Sequence, residues 1–399
     1  MTDKDERSER HGLTRRRFVQ SAGVGALTAG ALIRGGPAAG EATEPPAGGS
    51  GPTPDYDAIV IGAGFAGATA ARELSTSGLR VLVLEARPRI GGRTFTSEAE
   101  GHDVELGGAY VHWTQPHVWA EITRYGLEIE APAPTEPMRR AWVSGGKLQQ
   151  GNAEEFALRV FQAAGAYYFD ARQVLPRPYD PLLVPGIEAL DRQTARDRLE
   201  GLGLPDDQRD LLDAIFCSSC HCSPEDASLV EMLRWYSLPG WSVLNEFEAV
   251  AGYTLRGGTR KLLEGILGDA DAELKLSTPV KSISQADGEV VVTTQEQETV
   301  SARAVIVTVP LNVLSTIEFS PPLSEGKRAI ASEGQAGTGV KLHVKVRGQL
   351  GDFGGRGRIV LDMLGCQTCG ADRHDTYDRV RTRLDEHDLC GTAADVQHQ

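Results

Sequence analysis

The feature that most constrains this chain is a glycine-rich hexapeptide, Gly62-Ala63-Gly64-Phe65-Ala66-Gly67, set between two short apolar runs. Asp57 to Ile61 is a continuous apolar run of strand length, Phe65 to Ser77 is an alanine-rich helical segment, and Arg80 to Glu85 is a second apolar run. The order is β-α-β, and the spacing G-x-G-x-x-G is that of a dinucleotide site at a strand-to-helix turn. Gly62 permits the tight turn, Gly64 removes the Cβ that would block a pyrophosphate, and Gly67 lets the helix pack close to the strand. The helix N-terminus then offers N–H groups and a positive dipole end to phosphate. Glu85 closes the second run near the spacing of an acid that binds ribose hydroxyls, and a carboxylate there argues against a 2′-phosphate.

At 399 residues the chain exceeds what one core covers, so at least two domains are expected. Hydrophobic content of 40% and charged content of 24% are ordinary for a globular protein. A net charge of −14 repels phosphate backbones, which excludes nucleic acid as an expected partner. The first residues read as an address. Arg15-Arg16-Arg17 stands directly before the mildly apolar run Phe18 to Ile33, the pattern of a twin-arginine export signal over residues 1–42. That run is too short and too rich in glycine and alanine for a stable membrane anchor. The expectation is export of the folded protein by the twin-arginine machinery to a periplasmic or extracellular location. Residues 43–54 are rich in proline, glycine and serine and read as a linker. Residues 120–250 carry apolar residues at helical spacing, as in Leu158 to Ala166, Leu211 to Phe216 and Leu229 to Trp235. Strand signals return from Leu274, in Val290 to Thr294, Ala304 to Val309 and Val340 to Val346.

After Glu85 the sequence continues Ala86-Arg87-Pro88-Arg89-Ile90-Gly91-Gly92-Arg93, adding a second glycine pair and an arginine able to donate to phosphate or flavin. This E-A-R-x-R-x-G-G-R stretch resembles the flavin amine oxidase family, the monoamine and polyamine oxidase group. Leu106-Gly107-Gly108-Ala109-Tyr110-Val111 resembles the family's stretch beneath the flavin, Leu255 to Leu262 its glycine-rich return, and Ala304 to Pro310 its later strand. The resemblance covers about residues 55–350. It implies an α/β fold: a Rossmann-like FAD-binding domain (55–125 and 254–315) with an inserted, mainly helical α+β substrate domain (126–253 and 316–353). It also implies oxidation of an amine or amino acid to an imine, with electrons passing to dioxygen to give hydrogen peroxide.

Lys341 matches the family lysine that holds a water against the flavin. Alternation along Val340 to Val346 equally suits a solvated strand face for Lys341, His343 and Lys345. Val280 matches the strand residue placed over the adenine, and ordinary sheet core is the other reading. His112 and Trp113 follow the flavin-facing segment and read either as a cavity wall or as a packed loop. Cys217-Ser218-Ser219-Cys220-His221 matches the spacing of a haem attachment site. Core thiols, a local disulfide or an incidental cluster with Cys222 fit its helical setting better, and no metal is expected.

After about Gly354 the resemblance stops. Residues 354–399 lack apolar periodicity, and Cys366 to Gln399 carries three of the six cysteines, so this stretch reads as a foreign or out-of-frame tail. The segment that would wall the flavin cleft is not recognisable. At about 25 cal/mol per Å², several hundred Å² of uncovered sheet costs much of a domain's stability, which predicts weak FAD retention and little turnover. An inactive remnant is therefore the alternative reading. A desaturase or porphyrinogen oxidase type of FAD enzyme is a third.

Overall fold

The computed structural model describes residues 54–99, 101–131, 139–144, 147–337 and 339. The expected export signal, most of the linker, Lys341 with the rest of Val340 to Val346, and the tail lie outside them. The described residues form two compact units, one from residues 54–92 plus Ile266–Ser332, the other from Arg93–Gly265 plus residues 333–337 and 339.

The first unit is built on strand β1 (Tyr56–Ile61), helix α1 (Phe65–Thr76) and strand β2 (Val81–Leu84). β1 pairs in parallel with β2 on one side and with the strand Thr299–Val307 on the other, and β2 pairs in parallel with Ala272–Lys275. The strand Thr299–Val307 continues antiparallel through Glu289–Thr294 to Val280–Ala286, with Glu318–Ser320 beyond it, for seven strands among the described residues. Both faces of β1 and β2 are buried, which is why they read as unbroken apolar runs and not as alternating ones. Ile59, Ile61, Leu82 and Leu84 pack with Val280, Ile283 and Val292 on one face. Val60, Val81 and Val83 pack with Ala63 and Ala71 under α1 on the other. The hairpin joining Val280–Ala286 to Glu289–Thr294 turns on Asp287 and Gly288, both with positive φ, as a two-residue turn matching strand twist requires.

The second unit has a helical core in which Tyr167, Leu199, Leu212, Phe216 and Leu233 are fully buried. They come from the helices Ala153–Tyr167, Ala195–Gly201, Asp206–Cys220 and Leu229–Ser237. Thr194 and Asp197 form a reciprocal capping box at the second of these. Strands also run through the stretch expected to be mainly helical: the hairpin Arg139–Ser144 with Lys147–Asn152, and Ile129–Glu130, whose partner Thr254–Leu255 lies just beyond it. The architecture is a mixed α/β fold with a helical insertion, a Rossmann-type sheet interrupted by the helical unit.

Candidate functional site

The hexapeptide sits where β1 turns into α1. Gly62 has φ +105°, and a Cβ there would lie 2.8 Å from Thr308 Oγ1. A Cβ on Gly67 would lie 1.8 Å from the carbonyl oxygen of Gly62. The polypeptide itself therefore demands glycine at both positions. Gly64 differs: its φ of −82° and ψ of −177° suit any residue, and a Cβ would meet nothing nearer than Gly91 O at 3.7 Å. Nothing among the described residues requires glycine there, which leaves its bare backbone open to a group that approaches from outside. α1 has Gly64 as its N-cap, no side-chain cap and no acid in its first turn. Its positive end is thus uncompensated from within the helix, as a bound diphosphate needs. Phe65 and Ala66, the first helical residues, are half-buried and exposed respectively.

Glu85 is buried at the end of β2 and turns toward this junction, accepting from Ala63 N at 2.7 Å and from Arg87 N at 2.9 Å. A carboxylate has about four acceptor sites, so two backbone donors leave capacity for sugar hydroxyls. Beyond Ala86 the loop folds back: Arg87 Nη1 and Arg89 Nη2 both donate to Gly92 O, at 3.3 and 3.2 Å. Burial, and then the adjacent Arg87 charge, hold the Arg89 guanidinium below its ordinary value. Gly91 N donates to Ala63 O at 2.9 Å, and a Cβ on Gly92, with φ +58°, would lie 3.7 Å from the Gly64 Cα. Two glycines thus face each other beside the uncapped helix end. Thr278 N donates to Glu85 O and Ser277 N to Arg87 O, which brings the lead-in to Val280 beside the acid. Val280 itself is buried in the sheet core with Ile283 and Val292.

The remaining candidates fall in the second unit. Arg93 is exposed. Its carbonyl accepts from Gly108 N at 3.1 Å, and a Cβ on Gly107 would strike that same oxygen at 2.3 Å. Ala109 is buried, Tyr110 forms a β-bridge with Thr254, and Val111 N donates to Tyr253 O. The glycine-rich return is pinned by a residue the sequence did not single out. Buried Glu105 accepts from Thr259 N at 2.6 Å and from Thr96 Oγ1 at 2.8 Å, capping the helix Thr259–Gly268. Gly258, with φ +83°, leaves room for that carboxylate. Cys217, Cys220 and Cys222 form no disulfide among the described residues; Cys220 contacts Met232 Sδ at 3.6 Å, and burial pushes its thiol up to about 12. These are core thiols. Gly339 packs directly on His221.

The family described as flavin containing amine oxidoreductase matches residues 65–362. The chain belongs to that family. As a flavin-containing amine oxidoreductase it takes FAD as its cofactor, and the match runs past Gly354, where the sequence reading placed its end. A pseudooxynicotine dehydrogenase from a Pseudomonas species is 41% identical over 348 residues, 86% of this chain and 70% of that relative. A nicotine dehydrogenase from Pseudomonas putida is 38% identical over 358 residues, covering 88% and 73%. Among solved structures, the cyclohexylamine oxidase from Brevibacterium oxydans superposes with a TM-score of 0.59 at 24% identity, and wild-type putrescine oxidase with 0.58 at 22%. These cover 70% and 69% of this chain, and the chain spans 63% of each, less than two thirds of their length. At that identity the structures speak for the fold alone.

Proposed function

We propose that this oxidoreductase converts an amine to an imine and delivers the electrons to dioxygen, releasing hydrogen peroxide. The observation that carries the reading is the match to the flavin containing amine oxidoreductase family over residues 65–362, joined by 41% identity across 86% of this chain to a pseudooxynicotine dehydrogenase. When bound, FAD accepts the hydride equivalent from the carbon next to the amine nitrogen. The chain's own part is binding and orientation. Gly64 and the first turn of α1 receive the diphosphate, Glu85 accepts from ribose hydroxyls, and the cationic Arg87 to Gly92 loop stands beside them. Gly107 to Tyr110 is the segment proposed to lie under the flavin. Lys341 is proposed to hold a water at the reacting centre. Nicotine and pseudooxynicotine, named in the two relatives, are the first amines to try.

The test is anaerobic mixing of the flavin-loaded chain with these amines while the flavin absorbance is followed. Bleaching on mixing, with stoichiometric peroxide once air is admitted, is the expected result. A flavin that stays oxidised with every amine tried would remove the reading. The dehydrogenase names of both relatives favour a second reading for the acceptor alone. Bleaching followed by reoxidation that is slow in air but fast with an electron-transfer protein would select it.

A further inference from the structure

The helix Asp206–Cys220 ends in a short run that draws three sulfur atoms together. His221, with φ +57°, takes the left-handed conformation and stops the helix directly after Cys220. Had the helix run on, side chains two residues apart would point to nearly opposite sides of it. The turn at His221 instead brings Cys222 back, and the Cys220 and Cys222 side chains hydrogen-bond to each other. From the helix Leu229–Ser237, Met232 meets the same thiol: Cys220 Sγ lies 3.6 Å from Met232 Sδ. Cys222 and Met232 are buried and Cys220 is half-buried, so the group is screened from water without being sealed from it.

Two sulfurs held at about 2.3 Å from one ion at a tetrahedral angle stand about 3.8 Å apart, and the observed 3.6 Å is within about 0.2 Å of that. Thiolate and thioether donors are soft and select a soft ion such as Cu(I). Among the described residues no three His, Cys, Asp or Glu side chains converge, so ions that need oxygen or nitrogen partners find no ligand set here. We propose that Cys220, Cys222 and Met232 form a binding site for a single Cu(I) ion. The cysteines stand in one run of sequence, but Met232 joins them only through the packing of two helices, which is why sequence spacing gave no reason to expect a metal. While the site is empty, burial keeps the proton on Cys220, its thiol pushed up to about 12. Capture of the ion sends the two thiol protons to solvent and leaves both cysteines as thiolates. Copper enters and stays as Cu(I), so no electron moves. The site lies in the core of the helical unit and does not depend on the amine-oxidation reading above.

The test uses the flavin-loaded full chain, reduced and under argon, carrying Cys366→Ser, Cys369→Ser and Cys390→Ser so that thiols outside the described residues do not compete. Cu(I) is supplied as its complex with the chromophoric chelator bicinchoninate, and the copper that the protein takes from it is measured. One equivalent per chain is expected, with three sulfurs at about 2.3 Å by X-ray absorption, and a tenfold excess of Zn(II) should not displace it. Cys222→Ser should weaken retention at least a hundredfold. Met232→Leu, which conserves volume, should weaken it at least tenfold and lower the sulfur count from three to two. No copper taken from the chelator, or retention unchanged in Cys222→Ser, overturns the site. A sulfur count and affinity unchanged in Met232→Leu overturn it as well. If Cys222→Ser does not fold, as read by circular dichroism, the Met232→Leu sulfur count carries the test alone.

Discussion

Replacing Gly67 with alanine sets a methyl group 1.8 Å from the Gly62 carbonyl oxygen, a clash of backbone with backbone that no rotamer relieves. Gly67→Ala should cost about 3 kcal/mol or more and lower the melting temperature with or without flavin. Gly64→Ala meets only ordinary contacts from 3.7 Å outward, so the flavin-free melting temperature should hold within a degree or two. Its affinity for FAD, read by flavin fluorescence titration, should fall at least tenfold. Equal effects of the two substitutions on the flavin-free protein would show that Gly64 is a fold requirement after all. Lys341→Met should slow flavin reduction or reoxidation, checked by stopped-flow absorbance. The three glycines and Glu85 were legible because their partners lie within one β-α-β unit, close along the chain. Glu105 was not. It reaches Thr259, and nothing in the residues around a surface-type glutamate announces so distant a partner.

The helix Val243–Ala251 carries Glu246 and Glu248 two residues apart, so the two acids face different neighbours. Glu246 turns into an aromatic pocket, where Tyr168, stacked on Tyr236 at 4.2 Å, donates to it at 3.1 Å. Burial pushes its carboxyl from an ordinary 4.5 to about 8, against the smaller pull of the Tyr168 hydrogen bond. Between those values the folded state binds more protons than the unfolded one, so this group's contribution to stability declines as pH rises from about 4.5 to about 8 and is level beyond. Glu246→Gln should remove that decline and stabilise the protein at pH 8 by on the order of 1 to 3 kcal/mol, with little effect at pH 4.5. Urea unfolding at the two pH values measures it. Elements whose apolar period is strong were legible at this scale: Leu158 to Ala166 lies within the helix Ala153–Tyr167, and Val290 to Thr294 within the strand Glu289–Thr294. The hairpin of Arg139–Ser144 and Lys147–Asn152 was not, because RRAWVS and KLQQGN carry too few apolar residues to show a period of two.

For the molecule as a whole, FAD binds the folded chain and not the unfolded one. At a hundredfold excess over its dissociation constant it should therefore add about 2.7 kcal/mol and raise the melting temperature by a few degrees. Scanning with and without added FAD checks this, and an unchanged transition would mean that the chain does not retain the cofactor. The mixed α/β class was legible because a β-α-β unit at one end and strands returning after Leu274 bracket a helical stretch. The pairing order of the seven strands was not, since the sequence does not state which of the later strands lies beside β1.

That pairing order also sets a schedule. β1 and β2 leave the ribosome early, but their outer neighbours, Thr299–Val307 and Ala272–Lys275, are made only after the entire helical unit. At ~5 to 20 residues per second, the stretch from Leu84 to Ala272 takes on the order of 10 to 40 s to synthesise. During that interval the β1–β2 pair has no lasting partner on either outer edge. The nascent chain is then most exposed to chaperones and to mispairing, and a ribosome pause before Ala272 would lengthen the hazard more than one placed after Val307.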